Sequence, residues 1–111
     1  MIRIPISPAA SALLRVLSAR AGIARDRILL SDAQSTDWRS LTFTGERHHI
    51  SLRVAGPGAS DAVRAMCAGL EDAEFSIPEL FVADIGVVGA PAQMRDGSTE
   101  LTIEALTIAA D

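Results

Sequence analysis

The strongest constraint on how this chain folds is a strict alternation of apolar and polar residues over residues 48–54. His48, Ile50, Leu52 and Val54 occupy every second position, and polar residues lie between them. Because successive side chains of a β-strand point to opposite sides of a sheet, the pattern predicts a strand with one buried and one solvent-facing side. Such a strand needs neighbouring strands and a second layer that covers its apolar side.

Two further segments have the spacing of amphipathic helices. The first is predicted to begin with Ser7 as N-cap and Pro8 at the first helical position, and to end at Gly22. The second is predicted to begin with Ser60 as N-cap. Its predicted buried stripe consists of Val63, Met66, Cys67 and Leu70.

A first hairpin is predicted between the two helices. Residues 38–44 alternate in polarity, with Leu41 and Phe43 on one face. A turn at residues 45–46 then leads into the strand described above. Ahead of the hairpin, residues 28–36 fit a short apolar strand followed by a polar connection.

A second hairpin is predicted after the second helix. Its first strand covers residues 80–88, with one face formed by Phe81, Ala83, Ile85 and Val87. A loop containing Pro91 and the turn pair Asp96-Gly97 reverses the chain. The last strand then alternates Leu101, Ile103 and Ala105 with Glu100, Thr102 and Glu104. Leu106 and Ile108 break this phase, which indicates a bulge or a partner contact there.

The order of elements is therefore α-β-β-α-β-β. Two amphipathic helices are able to cover one face of a four-stranded, mainly antiparallel sheet, so we expect an α+β fold built as a two-layer sandwich. A length of 111 residues fits a single domain spanning residues 1–111. Alanine-rich apolar segments bury little area per residue, so oligomerisation would help to stabilise such a domain.

Charge is unevenly distributed along the chain. The net charge is −4, which argues against a dedicated nucleic-acid binder. Residues 1–55 carry eight arginines and four acidic residues, whereas residues 56–111 carry two arginines and ten acidic residues. One explanation is chance, since both halves contribute to one globule. The other is a subunit with two oppositely charged surfaces that dock head to tail.

The sequence gives few candidates for chemistry. His48 and His49 are neighbours on a strand, so they point to opposite faces and do not ligate one metal ion together. Cys67 lies in a predicted apolar stripe, which favours a core residue over a nucleophile. Because it is the single cysteine, no disulfide within the chain is expected, and a reducing compartment suits the protein. Residues 56–58 form a glycine-containing turn without the spacing of a phosphate-binding loop. We expect no enzyme activity, no cofactor and no metal site.

Segments that follow one another in a fixed order resemble a known family. They are the strand of residues 45–54, the Ala-, Val- and Arg-containing helix of residues 59–66, the Asp96-Gly97 loop and the strand of residues 100–106. This ordered set is similar to the tail-terminator, or tail-completion, proteins of long-tailed phages and gene transfer agents. The similarity spans most of the chain. It departs from many relatives at residues 35–39, where no proline precedes the first strand.

The resemblance implies a structural subunit of a ring, usually hexameric, that caps the tail tube and joins it to the head. The implied partners are further copies of the chain, the major tail tube protein and the head–tail connector, with no membrane and no specific nucleic acid. The chain has neither a signal-peptide pattern nor an apolar stretch long enough to span a membrane. We therefore expect it in the cytoplasm during assembly and afterwards in the tail of the particle.

A ring built from identical subunits needs two different complementary surfaces on each subunit. We predict that one of these surfaces contains Arg39, Arg47 and Arg53. The other is predicted to contain Glu100 and Glu104, and a loop with Arg95 and Asp96 is predicted to contact the tube or connector. The alternative for each residue is an ordinary solvated side chain.

Two other functions stay open at this point. One is a small ferredoxin-like ligand-binding or regulatory module, which would have a concave pocket lined by several polar groups. The other is a small enzyme whose active site is assembled from loops. The mass of the protein in solution distinguishes a ring from a monomeric module.

Overall fold

A computed structural model describes residues 5–110 of the chain. Within these residues the chain forms two α-helices and four long strands in the order α1 (Pro8–Ala21), β1 (Ile28–Arg39), β2 (Thr44–Val54), α2 (Ala59–Cys67), β3 (Leu80–Gln93) and β4 (Thr99–Ala109). The strands form one sheet in the order β1-β2-β4-β3, and every neighbouring pair is antiparallel. Both helices contribute to a core on one face of the sheet, so the predicted α+β class is confirmed.

Helix α1 forms as the sequence predicts. The Ser7 side chain accepts a hydrogen bond of 3.1 Å from the backbone N–H of Ala10, and Pro8 occupies the first turn, where an N–H has no intrahelical partner. Gly22 ends the helix in a left-handed conformation. Leu13 and Leu17 are among its fully buried residues, so this amphipathic side faces the core.

Helix α2 begins earlier than predicted, and Ser60 is not its N-cap. The N-cap is Gly58, whose φ of 73° is a left-handed conformation that glycine adopts without strain. The Gly58 carbonyl accepts a 2.9 Å hydrogen bond from the Ala62 N–H, which starts the helical pattern two residues before a cap at Ser60 would. Met66 and Leu70 of the predicted stripe are buried, but Leu70 lies in a separate short 3-10 turn (Leu70–Asp72).

Two arginines fix the ends of α2 by binding backbone carbonyls. Arg27 donates from Nε and Nη2 to the Ala55 carbonyl at 3.0 and 2.7 Å, and from Nη2 to the Pro57 carbonyl at 2.7 Å. Arg20 donates to the carbonyls of Met66, at 3.1 Å, and Ala68. Part of the positive charge in the first half of the chain therefore has a structural use.

The β1–β2 hairpin differs from the prediction at both ends of β1. Residues 31–36 belong to β1 rather than to a connection, and a bulge between Leu30 and Asp32 hides the alternation in the sequence. The turn lies at residues 40–43 and not at residues 45–46. It is closed by a 2.9 Å hydrogen bond from the Ser40 N–H to the Phe43 carbonyl.

Strand β3 contains two bulges that the sequence pattern did not reveal. The first, between Val82 and Asp84, reverses the phase of the strand, so Phe81 and Ala83 face solvent and only Ile85 and Val87 of the predicted face turn towards the core. The second lies between Val88 and Ala92. Pro91 is consequently part of the strand and not of a loop. The turn at Asp96-Gly97 is confirmed, since Gly97 donates to the Met94 carbonyl at 3.1 Å.

Strand β4 has the most regular alternation in the sheet. Leu101, Ile103 and Ala105 are buried, as predicted, and Thr107 continues the same side. Its register with β2 is unbroken from Thr99 to Ile108, so β4 itself has no bulge at Leu106 and Ile108, and the irregularity opposite Leu106 lies in β3, between Val82 and Asp84. The alternative, a partner contact at Leu106 and Ile108, stays a prediction. These two residues follow the alternation and lie on the face opposite the helices.

Candidate interaction surface

The face of the sheet opposite the helices is open to solvent, and we call it the outer face. The register of the strands places five rows of side chains across it. From one end to the other, the rows are Trp38–Gly45–Ile108–Phe81, Thr36–Arg47–Leu106–Asp84, Gln34–His49–Glu104–Gly86, Asp32–Ser51–Thr102–Val88 and Leu29–Arg53–Glu100–Ala92. The first row is therefore apolar, and each of the other four rows contains at least one charged residue. We call the last row, which contains Arg53 and Glu100, together with Asp96 of the adjacent β3–β4 turn, the charged end.

The charged end contains three of the residues predicted for interfaces. Arg53 and Glu100 are register partners on adjacent strands, and their Nη2 and Oε2 atoms are 3.4 Å apart. Arg53 Nη1 also lies 3.9 Å from Asp96 Oδ2. The side chains of Arg53 and Glu100 are 38% and 35% exposed, so solvent screens this pair and it contributes little to stability.

The other predicted interface residues are spread along the sheet. Glu104 lies 3.1 Å from Nδ1 of His49, again across the β2–β4 register. Arg47 is exposed in the row between the His49–Glu104 row and the apolar row. Arg39 is the last residue of β1, and Arg95 is exposed in the β3–β4 turn. Arg47 and Arg53 of the predicted basic set thus lie on β2, next to the strand β4 that carries Glu100 and Glu104, whereas Arg39 lies on β1, which does not pair with β4. The interface roles of these residues stay predictions.

The apolar end carries exposed aromatic residues, and we call Trp38, Leu41, Phe43 and Phe81 the aromatic end. Leu41 is fully exposed, Phe43 is 56% exposed and Phe81 is 64% exposed. The chain has one tryptophan and three phenylalanines, so the aromatic end holds three of its four aromatic residues. Sequence reasoning missed this surface because it placed Leu41 and Phe43 within a strand and Phe81 in the core.

Gly45 permits the close approach of strands within the aromatic end. A Cβ atom at this position would collide with the carbonyl oxygen of Thr107. Ile108 lies beside Gly45 and is buried, although it is on the outer face. Its register neighbour on the other side is Phe81, and Trp38 lies beyond Gly45. The row is consequently a partly closed apolar layer.

A buried polar network lies on the helix side of the same end. His48 is 1% exposed, with Nδ1 2.7 Å from Ser35 Oγ and Nε2 2.9 Å from Thr107 Oγ1. Burial lowers the pKa of His48 below its ordinary value, and the nearby Glu46 carboxylate offsets this only partly. His48 and His49 point to opposite faces of the sheet, as predicted, since His48 contacts Thr107 on the helix side and His49 contacts Glu104 on the outer face.

A groove separates α2 from the second bulge of β3, and we call it the α2–β3 groove. It has a volume of about 540 Å³, and its walls include Val63, Cys67, Ala68 and Pro91. Cys67 is half-buried, and burial raises the pKa of its thiol while the Arg20 guanidinium lowers it less. This direction is opposite to the one that activates a nucleophilic cysteine.

Among residues 5–110, no three His, Cys, Asp or Glu side chains gather in a way that would hold a metal ion. In the same part of the chain, no helix combines the length and apolar character needed to cross a membrane.

Comparisons with known proteins support the fold. The sequence matches no protein-family model, and a comparison with curated proteins gives no match. The structure is similar to a chain in a solved structure described as the virion of a native gene transfer agent particle, with a TM-score of 0.53 and 14% sequence identity. The alignment covers 94% of this chain and 100% of that chain. At this identity, the similarity establishes a shared fold.

Proposed function

We propose that the protein is a structural virion subunit that forms a ring, caps the tail tube of a phage-like particle and joins the tube to the head. The observation that carries the proposal is the fold similarity to a chain of a gene transfer agent virion, which extends over the whole of that chain. The ordered strand, helix and loop segments that resemble tail terminators point to the same function.

The distribution of surface residues fits a protein that works by binding. Exposed aromatic side chains concentrate at one end of the sheet, and aromatic residues are enriched at the centres of protein interfaces. His48 and Cys67, by contrast, are occupied in packing or buried hydrogen bonds. In this proposal, the single domain of residues 1–111 is the building block of a homo-oligomer, most simply a hexamer.

The partners in this proposal are other copies of the chain, the major tail tube protein and the head–tail connector. Arg95 and Asp96 lie in the exposed β3–β4 turn, where a flat surface of the tube or connector has access to them. The protein would assemble in the cytoplasm and remain in the tail of the finished particle.

Native mass spectrometry and negative-stain electron microscopy of the purified protein, alone and with polymerising tail tube protein, test the proposal. We expect closed rings, or tubes that carry a ring at one end and stop growing. Monomers at high concentration, together with tubes of unchanged length, would refute it. The ferredoxin-like module would then be the better explanation, with the α2–β3 groove as its ligand site.

A further inference from the structure

The turn between β3 and β4 contains the pair of residues in this chain that is most prone to rearrange chemically. Asp96 is the only aspartate that is followed by a glycine, and the chain contains no asparagine. Because glycine has no Cβ, its backbone nitrogen is less hindered than that of any other residue. The Gly97 nitrogen is therefore the backbone atom from which attack on a neighbouring side-chain carboxyl group meets the least obstruction.

The rearrangement begins with closure of a five-membered succinimide ring. The Gly97 nitrogen forms a bond to Cγ of Asp96, and the nitrogen's proton leaves together with the hydroxyl group of the neutral carboxyl as one water molecule. A water molecule then opens the ring at either carbonyl carbon. One opening restores aspartate, and the other gives isoaspartate, in which the backbone runs through Cβ and Cγ. The water taken up balances the water released, so no other reactant is needed.

The carboxyl group of Asp96 is held by the residue that follows the pair. Its Oδ1 accepts hydrogen bonds from the Ser98 hydroxyl, at 2.5 Å, and from the Ser98 backbone N–H, at 3.0 Å. These bonds lower the pKa of the Asp96 carboxyl group, and the nearby Arg53 guanidinium lowers it further. They favour the carboxylate, which is the less reactive form because it has no hydroxyl group to lose as water.

The attacking nitrogen is held as well. The Gly97 N–H donates to the Met94 carbonyl at 3.1 Å, and the Met94 N–H donates to the Ser98 carbonyl at 2.7 Å. Gly97 has a φ of 87°, which glycine adopts without strain, so the closed turn is a relaxed conformation. Ring closure requires loss of the Gly97–Met94 hydrogen bond and a rotation of the backbone inside this closed hairpin turn.

We propose that the β3–β4 turn is a site of spontaneous isoaspartate formation at Asp96, and that the hydrogen bonds made by Ser98 and Gly97 keep this reaction slow in the folded protein. Isoaspartate adds one atom to the backbone of the turn and takes the carboxylate away from Ser98. Since turn length fixes the register of a hairpin, the modified turn no longer fits the β3–β4 pairing. This chemistry is independent of the proposed ring.

Ageing the purified protein at neutral pH, either folded or unfolded in urea, tests the proposal. Isoaspartate is quantified by enzymatic methylation and assigned to position 96 by chromatography and mass spectrometry of peptides. We expect it to form at least about tenfold more slowly in the folded protein, the factor in rate that corresponds to one hydrogen bond to a charged group. Equal rates in the folded and unfolded protein would overturn the proposal.

Ser98→Ala removes the hydroxyl that binds Asp96. In the folded state it should speed isoaspartate formation about tenfold, and in urea it should have no effect, because the turn is then absent. Ser40→Ala is the matched control in the other hairpin turn, where the Ser40 Oγ accepts hydrogen bonds from the backbone N–H groups of Thr42 and Phe43. It should leave the rate at position 96 unchanged.

Circular dichroism establishes that each variant is folded before ageing. An unchanged rate in folded Ser98→Ala would contradict the proposal, and so would equal acceleration by Ser98→Ala and Ser40→Ala, which would assign the effect to a general loss of stability. Should Ser98→Ala fail to fold, Arg53→Ala replaces it, because it removes the cation that lies 3.9 Å from Asp96 Oδ2. We expect a rise of roughly twofold from this weaker, solvent-screened contact, and a rate equal to that of the natural chain would count against the proposal.

Discussion

The two faces of strands β2 and β4 use the same backbone for different purposes. Inward side chains such as Leu52 and Ile103 are aliphatic and almost completely buried, whereas their neighbours Ser51 and Glu104 lie on a face that solvent reaches. Among the described residues, no aromatic side chain is part of the fully buried core. The aliphatic side chains of the inner face therefore determine the fold, whereas three of the four aromatic residues lie at the aromatic end. Mutations on the two faces should separate stability from assembly.

The largest expected effect is on the inner face. Leu52→Ala should lower the free energy of unfolding by about 3 kcal/mol, because it opens a cavity at a fully buried position of the central sheet. Ser51→Ala, one residue away on the outer face, should change stability by less than about 1 kcal/mol. Urea unfolding followed by circular dichroism measures both. Similar losses for the two variants would contradict the separation of the faces.

Gly45 allows a test of the apolar row of the outer face, in which it lies between Trp38 and Ile108. Gly45→Val should destabilise the protein by about 2 kcal/mol, because its side chain would collide with the Thr107 carbonyl. Gly86→Ala is the matched control in a strand, since its Cβ would lie at an ordinary 3.5 Å from Glu71. We expect the control to be neutral or slightly stabilising in thermal unfolding. A tolerated valine would show that the strand approach at Gly45 is not required.

The buried histidine predicts how stability depends on pH. Folding lowers the pKa of His48 from 6.5, so protonation favours the unfolded chain. Neutral His48 makes its full contribution to the free energy of unfolding above about pH 7, and this contribution is lost as the pH falls below 6.5. The free energy of unfolding should then change by at most about 1.4 kcal/mol per pH unit on account of this group. Urea unfolding between pH 7 and pH 5 should show a shallower slope in His48→Gln than in His49→Gln. Equal slopes would assign the effect to other groups.

The smallest expected effect on stability concerns the charged end of the outer face. A double-mutant cycle of Arg53→Ala and Glu100→Ala should give a coupling of about 0.5 kcal/mol in unfolding, and salt should reduce it further. If these residues serve the interface predicted from the sequence, the same variants should change assembly more than stability. Sedimentation velocity at two salt concentrations measures how strongly the variants associate. A coupling above about 2 kcal/mol would make the pair a part of the fold instead.

The sequence was most informative where one strand face is buried without interruption. The alternation in β2 and β4 fixed their inner residues, because a single unbroken period determines which side chains face the core. Ser7, Pro8 and Gly22 located α1 through local hydrogen bonding and backbone geometry. These features depend only on residues that are close in sequence, and for this reason they can be predicted from the sequence pattern.

The sequence failed where tertiary structure changes the local period. The bulges in β1 and β3 each shift the alternation, so residues 31–36 resembled a connection and Phe81 resembled a core residue. The turn at residues 40–43 contains Leu41 and Phe43, whose apolar character is typical of a strand. The α2–β3 groove was also missed, because it arises from the second bulge together with a helix distant in sequence.

The arginines at the two ends of α2 have a consequence for how the sequence can vary. Arg27 and Arg20 bind peptide oxygens of residues 55, 57, 66 and 68, and every amino acid supplies such an oxygen. Acidification does not neutralise these acceptors, and replacement of the side chains around them does not remove them. These hydrogen bonds therefore set no requirement on the side chains of the four acceptor residues, whereas they do require the guanidinium groups, because lysine lacks the planar fork that lets Arg27 reach two carbonyls.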